Sequence, residues 1–207
     1  MTAPADRSTT ATIAAYDAIA ATYDQRQDRL PNILGSWLER FAATVRPDGV
    51  VADLGCGPAR HGQTLAGLGL QVVGVDLSAG MVAIARQRLP GRIAQGDLRH
   101  LPIASAALDG VWSAAALLHV PRTDVPAVLA EYRRVLRPGG ALGLVTAAGE
   151  QEGWEPVPYV QGWQRWYVYH PPALLADLLD RAGLDVTQTH EEEHGRHWIK
   201  VLAHAYP

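Results

Sequence analysis

Val50-Val51-Ala52-Asp53-Leu54-Gly55-Cys56-Gly57 is a short apolar run that closes on an acid and a Gly-x-Gly turn. Val50–Leu54 has the length and composition of a strand buried on both faces. Gly55 and Gly57 allow a tight bend and a close backbone approach to a ligand, because neither carries a Cβ. Gly62–Leu68 has helical character, and Gln71–Val75 is a second strand ending at Asp76. A strand, a glycine turn, a helix and an acid about twenty residues on make a nucleotide-type site, the acid accepting both hydroxyls of a ribose. Asp97, in Gly96-Asp97-Leu98, follows a third strand, where its carboxylate and the neighbouring amide can address an adenine-type edge. A lone Gly-x-Gly describes only a tight turn. Asp53, Asp76 and Asp97 at the ends of successive strands add a specific meaning.

Outward from this unit, strands and helices alternate. Ser78–Gln87 reads as a helix capped by Ser78, Arg92–Gln95 and Leu108–Ala114 as strands, and Val125–Leu136 as a periodic helix stopped by Pro138-Gly139-Gly140. Ala141–Thr146 is a further strand and Pro172–Ala182 a helix. Leu184–Glu191 and His197–Ala205 form an antiparallel hairpin about His194-Gly195. Such alternation predicts an α/β fold with a mostly parallel sheet and helices on both faces. Before it, Thr12–Gln25, with Ile13, Tyr16, Ile19, Ala20 and Tyr23 recurring on one face, and about Ile33–Val45 read as helices, and residues 1–11 as a frayed start. Residues 149–171 carry Trp154, Tyr159, Trp163, Trp166, Tyr167 and Tyr169 together with Pro156 and Pro158 and no clear period, the composition of a lid or binding loop. The expectation is one domain over 1–207, with an N-terminal helical segment at about 12–45 and an aromatic insertion at about 149–171.

The chain has 207 residues, a net charge of −3 and a 48% hydrophobic fraction, enough to bury roughly 70% of its unfolded surface without disulfide or metal. No basic stripe argues for a nucleic-acid partner. The single cysteine, Cys56, forbids an intrachain disulfide and fits a reducing compartment. The sequence suggests neither a secretory leader nor a membrane span, so a soluble cytoplasmic protein is expected.

The motif set resembles the class I S-adenosylmethionine-dependent methyltransferases of small-molecule type (methyltransferase domain 11/25-like). It comprises Val51–Pro58, Val73-Gly74-Val75-Asp76-Leu77-Ser78 with Met81, Gly96-Asp97-Leu98, Leu117-Leu118-His119-Val120 and Arg134–Gly140. The resemblance covers about residues 12–148 well and the C-terminal part more loosely. It implies a Rossmann-like doubly wound sheet of seven strands with an antiparallel C-terminal hairpin, and S-adenosyl-L-methionine as cofactor. By position, Gly55, Cys56 and Gly57 would pack on the amino-acid part of that cofactor, and Asp53 would orient its ammonium. Asp76 would hold the ribose, Leu77 and Met81 would flank the adenine, and Asp97 with Leu98 would meet its amino edge. Ser113 and Tyr23 are also expected at the cofactor, Tyr23 closing over it. Ala59 departs from the family, where many members have a third glycine, and a somewhat altered turn is expected.

His119, after the fourth strand, is the first choice for a base or orienting group, since imidazole titrates near neutrality. His170 and Tyr169 are second choices, and His61 is read as shaping the cofactor cleft. Trp163, Arg165, Trp166 and Tyr167 are expected to wall the acceptor. Glu191-Glu192-Glu193 reads as a solvated hairpin edge, and the nearby His190, His194 and His197 lack a metal-ligand spacing, so no metal is expected. The function expected is methyl transfer to a small molecule through oxygen or nitrogen. Alternatives are a cofactor-binding protein or partner subunit without catalysis, and an NAD-dependent oxidoreductase, which Arg60 at the third glycine position of Gly-x-Gly-x-x-Gly disfavours. The residues from Ser113 to Pro121 lack the Pro-Pro-aromatic signature of base-amino methylation. The partner expected is a small-molecule acceptor, with no nucleic acid or membrane; a homodimer is left open.

Overall fold

A computed structural model describes residues 4–27 and 34–207. Its framework is a seven-stranded sheet built from β1 (Val50–Leu54), β2 (Gln71–Asp76), β3 (Ile93–Gln95), β4 (Leu108–Ala114), β5 (Leu136–Ala147), β8 (Leu184–Glu193) and β9 (His197–Ala205). The order is β3-β2-β1-β4-β5-β9-β8. β1 pairs in parallel with both β2 and β4, while β9 runs antiparallel to β5 and to β8. This is the Rossmann-like arrangement with a reversed C-terminal hairpin that the resemblance implied, and its mostly parallel order is what the alternating pattern predicted. Chain order reverses at β1, between β2 and β4, so a crevice opens at the carboxyl ends of β1 and β4.

The buried runs explain the pairing. Val51, Ala52 and Leu54 have no exposed surface and Asp53 almost none, as a central strand covered on both faces requires. Helices α2 (Gly35–Thr44), α3 (Arg60–Gly67), α4 (Ala79–Arg88), α5 (Val125–Val135) and α6 (Pro172–Arg181) cover the sheet. One apolar cluster joins Trp37, Phe41, Leu65, Val72 and Trp112; the other joins Leu117, Val128, Leu129, Tyr132, Leu175 and Leu179. Ser78 caps α4 as expected, its hydroxyl accepting from Met81 N at 3.1 Å.

Three expectations are corrected. Helix α1 runs Pro4–Gln27, so most of the stretch read as frayed is helical. It is held by tertiary contacts rather than by periodicity: Thr12 Oγ1 accepts from Trp166 N at 2.8 Å, and Asp17 Oδ1 accepts from Gly80 N at 2.9 Å. Residues 1–3 and Ile33, the expected start of the second helix, lie outside the described residues. β5 starts at Leu136, directly after α5, because Leu136 pairs with Leu108 and Pro138-Gly139-Gly140 fall within a register shift of the ladder. The aromatic insertion is ordered: β6 (Glu152–Pro156) and β7 (Gln164–Val168) form an antiparallel hairpin whose second strand packs on α1. No described helix is long and apolar enough to cross a membrane.

Candidate functional site

A cavity of about 590 Å³ opens at the carboxyl end of β1 and β2, within the size range of small-ligand sites. Gly55, Cys56, Gly57, Asp76, Leu77, Met81, Asp97, Leu98 and Tyr23 all line it. The floor is fixed by Asp76. Its Oδ2 accepts from Gly57 N at 2.7 Å and its Oδ1 from Ser78 N at 2.9 Å. One carboxylate thus ties the glycine turn to the start of α4, and burial pushes its pKa up against these hydrogen bonds.

The two glycines do different work. Gly55 has φ +69°, and a Cβ there would stand 2.2 Å from Ala116 Cβ; its lack of a side chain lets the β1 turn touch the turn after β4. Gly57 has φ +51°, a Cβ there would meet nothing within 4 Å, and the residue lines the cavity. Ala59 sits at φ +60°, ψ +35° with no exposure, as the residue that opens α3. That left-handed backbone is what a glycine would adopt freely. Ala115, on the cavity wall, also has a positive φ of 56°.

Asp53 does not line the cavity. It is 2% exposed, its Oδ2 accepts from Gly62 N at 2.9 Å, and burial pushes its pKa up to about 7. The carboxyl therefore works inside the β1–α3 unit. Ser113 is likewise internal, fully buried, and shares a 2.9 Å hydrogen bond with Tyr132 Oη. Asp97 lines the cavity with both oxygens engaged by Arg99, the shortest contact 2.6 Å, and Arg99 continues to Asp124 at 2.9 Å. The edge of Asp97-Leu98 facing the cavity is thus set by an ion pair rather than by an open carboxylate.

His119 stands at the far end, and Tyr16, which periodicity marked only as one residue of a helix face, meets it. Tyr16 Oη lies 2.7 Å from His119 Nε2, His119 Nδ1 lies 2.7 Å from the Trp166 carbonyl, and Arg165 Nη1 donates to Tyr16 Oη at 3.1 Å. A carbonyl only accepts, so Nδ1 carries the proton, Nε2 offers its lone pair, and the Tyr16 phenol donates to it. Burial, reinforced by the charges of Arg165 and Arg196, pushes the His119 pKa down to about 3 against the pull of the Trp166 carbonyl. His119 is neutral at ordinary pH.

None of the four residues expected to wall the acceptor lines this cavity. Trp166 and Tyr167 stand behind His119, the Tyr167 ring 5.3 Å from its imidazole, and Arg165 stands behind Tyr16. Trp163 lies with Trp154 on a separate shallow groove against Ala11 and Ala14. The hairpin is a supporting wall because its residues reach the cavity only through α1 and His119. His170 is fully buried away from the cavity with neither ring nitrogen hydrogen-bonded, and Tyr169 Oη donates to Glu155 at 2.6 Å.

Tyr16, Thr9, Thr12 and Ile13 of α1 and Trp198, Glu192 and His194 of the C-terminal hairpin complete the lining. The hairpin edge is therefore more than solvated: Glu192 also holds the buried Lys200 at 2.6 Å. His61 lines the cavity edge-on to Trp112, and burial pushes its pKa down to about 4. Arg60, which also lines the cavity, pairs with Asp24 of α1 at 2.7 Å, and Arg88 pairs with the same carboxylate at 2.8 Å.

A family model described as a methyltransferase domain matches residues 52–144. A malonyl-[acyl-carrier protein] O-methyltransferase of Enterobacter lignolyticus is 33% identical over 71% of this chain and 57% of its own length. A demethylmenaquinone methyltransferase of Beutenbergia cavernae is 33% identical over 71% of the chain and 61% of its own length. The chain therefore spans about three-fifths of these two relatives. In fold it is similar to the 1,6-didemethyltoxoflavin-N1-methyltransferase of Burkholderia thailandensis, solved with 1,6-didemethyltoxoflavin and S-adenosylhomocysteine. The TM-score is 0.72 at 22% identity, covering 100% of this chain and 92% of that one.

Proposed function

The chain belongs to the S-adenosylmethionine-dependent methyltransferases, and from that premise we propose that it methylates a small-molecule acceptor at oxygen or nitrogen. The observation that carries this is Asp76 at the open end of β2, bridging Gly57 N and Ser78 N on the cavity floor. The residues present fit the cofactor. Gly57 offers a backbone whose Cβ position is open, Asp76 offers a carboxylate for ribose hydroxyls, and Leu77 and Met81 offer apolar faces for adenine. When bound, S-adenosylmethionine supplies a methyl carbon on a sulfonium, open to in-line attack.

The protein's own contribution would be placement and exclusion of water. Tyr16 Oη, donating to His119 and accepting from Arg165, keeps lone-pair density toward the cavity and would take a hydrogen bond from an acceptor O–H or N–H. His119 would act by holding Tyr16 in that orientation. Because it resists protonation, the acceptor proton would leave to solvent rather than rest on the imidazole. The malonyl-[acyl-carrier protein] relative is named for O-methylation and the fold neighbour for N1-methylation, which supports an oxygen or nitrogen acceptor without choosing between them.

The test is titration calorimetry with S-adenosylmethionine, followed by tritiated-methyl transfer to a small-molecule extract. Saturable binding and a labelled small product are expected. Absence of binding would overturn the proposal, and binding without transfer to any acceptor would favour a cofactor-binding protein without catalysis.

A further inference from the structure

The cavity is longer than its floor. Asp76 closes β2, whereas Val145 of β5 and Trp198 of β9 line the opposite end. β2 and β9 are four strand spacings apart in the sheet, roughly 19 Å. At that far end the lining comes from His61 and Thr64 of α3 and from Ala114, Val145, Glu192 and Trp198. Ala114 pairs with Val145 across the ladder, and Glu192 with Trp198. Val145 and Trp112 belong to one apolar cluster, against which Trp198 packs. The His61 ring stands edge-on to that same Trp112 at 5.9 Å, so α3 and the strand ends enclose one chamber.

The polar groups of this chamber are unequal. Thr64 Oγ1 donates to the Arg60 carbonyl at 3.2 Å, and Glu192 is held by Lys200 at 2.6 Å. His61 differs: among the described residues neither ring nitrogen has a hydrogen-bond or ionic partner. Burial keeps the imidazole neutral, its pKa pushed down to about 4, so it offers one N–H and one lone pair. His119, by contrast, has spent both nitrogens, on Tyr16 and on the Trp166 carbonyl. Both guanidinium groups that line the cavity are paired, Arg60 with Asp24 and Arg99 with Asp97 and Asp124. An anionic ligand would therefore meet no uncommitted guanidinium. Trp198 supplies a flat apolar wall, its ring fixed by Nε1 donating to the His194 carbonyl at 3.2 Å.

Resting on the methyl-transfer reading of the cavity, we propose that this chamber holds the acceptor and that the acceptor is an uncharged planar aromatic molecule. Its ring lies against Trp198, and an O–H or N–H group other than the reacting one donates to His61. The reacting group at Tyr16 and the second donor at His61 then fix the ring at two points, which sets its approach to the methyl group. His61 acts as a selector: an acceptor without the second donor leaves the lone pair of the imidazole unmet.

The experiment uses calorimetry on the intact protein saturated with S-adenosylhomocysteine. Naphthalenediols are titrated against the naphthols that lack the second hydroxyl, and against hydroxynaphthoates that carry a carboxylate in its place. At least one diol should bind about three- to tenfold more tightly than its naphthol, the gain from one neutral hydrogen bond. His61→Phe, its fold checked by thermal unfolding, should bring that ratio to one or below, and His61→Gln should keep part of it. Trp198→Leu should weaken diol and naphthol by similar factors. The proposal is overturned if no diol outbinds its naphthol, if the advantage survives His61→Phe, or if a hydroxynaphthoate outbinds the diols. Loss of S-adenosylhomocysteine binding in folded His61→Phe would place the imidazole on the cofactor and overturn it equally. S-adenosylmethionine is titrated into the wild type alongside. Its failure to bind would sink the methyltransferase proposal, whereas binding with no diol advantage would sink the acceptor chamber alone.

Discussion

Asp76→Asn separates the structural from the ligand-binding role of the cavity floor. The wild-type carboxylate accepts from Gly57 N with one oxygen and from Ser78 N with the other. Asparagine keeps one acceptor and turns an NH₂ group toward the second N–H, so one of the two amides faces a donor whichever way the side chain turns. An unsatisfied donor in a half-buried site costs about 1–3 kcal/mol. For a domain of this size that corresponds to a melting temperature lower by roughly 2–12 °C. The ribose hydroxyls would lose a charged acceptor as well, worth about 1.5–3 kcal/mol, or about 10- to 150-fold in affinity. Denaturant unfolding gives the first quantity and calorimetry with S-adenosylmethionine the second. Cofactor affinity within threefold of wild type, in a variant that remains folded, would refute the assignment of Asp76 to the ligand.

Gly55→Ala should destabilise the protein by about 2–4 kcal/mol, from the clash at Ala116 and the left-handed backbone; Ala116→Gly should restore part of it. Gly57→Ala should cost only about 1–2 kcal/mol in stability yet weaken cofactor binding more than Gly55→Ala does in folded protein, since its methyl enters the cavity; both are read by denaturant unfolding and calorimetry. Ala59→Gly should change stability by less than about 1 kcal/mol, because relief of the left-handed backbone is offset by a lost buried methyl and a more flexible unfolded chain. The His119 pKa is depressed from 6.5 to about 3, so its contribution to stability is full above pH 6.5 and lost as pH falls toward 3; an acid limb in kcat near pH 6.5 that vanishes in His119→Gln would contradict a neutral, positioning imidazole. Asp53 is raised from 3.8 to about 7, so its contribution is full below pH 3.8 and lost as pH rises through 7; Asp53→Asn should be the more stable protein at pH 8, by at most about 4 kcal/mol, with no such gain at pH 4.

The parts legible in the sequence are those whose physics is local. Val50–Leu54 and Leu108–Ala114 carry enough consecutive apolar residues to be central strands, and their observed limits coincide with the expected ones. Ser78 announces the start of α4 by chemistry that needs only the next three residues. The hairpin of Glu152–Val168 was illegible because its faces are mixed: Arg165 and Tyr167 point inward on a strand that also exposes Gln164. Its order comes from the pairing of two strands and from Thr12, more than 150 residues away. The start of α1 was illegible for the same reason, since Ser8 and Thr12 are polar yet almost fully buried. Tyr16 was visible as a helix-face residue, but its partners, His119 and Arg165, are separated from it by 103 and 149 positions.

Of the residues that the resemblance named, some line the cavity and others are turned into the fold behind it. Asp53 occupies the acidic position at the end of β1, yet its carboxylate is turned into the β1–α3 unit, where Gly62 N satisfies it. Gly55 belongs to the loop, yet its missing side chain serves the approach of Ala116. Both residues fix the shape of the turn, so that Gly57 and Asp76 are the groups left facing the cavity. The acceptor end follows the same logic one layer further out. The Trp166 carbonyl fixes the tautomer of His119, His119 fixes the phenol of Tyr16, and Arg165 fixes the phenol from its other side. Arg165, Trp166 and Tyr167 thus stand one residue removed from the cavity, behind Tyr16 and His119, while Trp163 lies on a separate groove. Substitutions there should alter acceptor selection through Tyr16 while leaving the floor at Asp76 untouched, because the two ends of the cavity are held by separate hydrogen-bond networks.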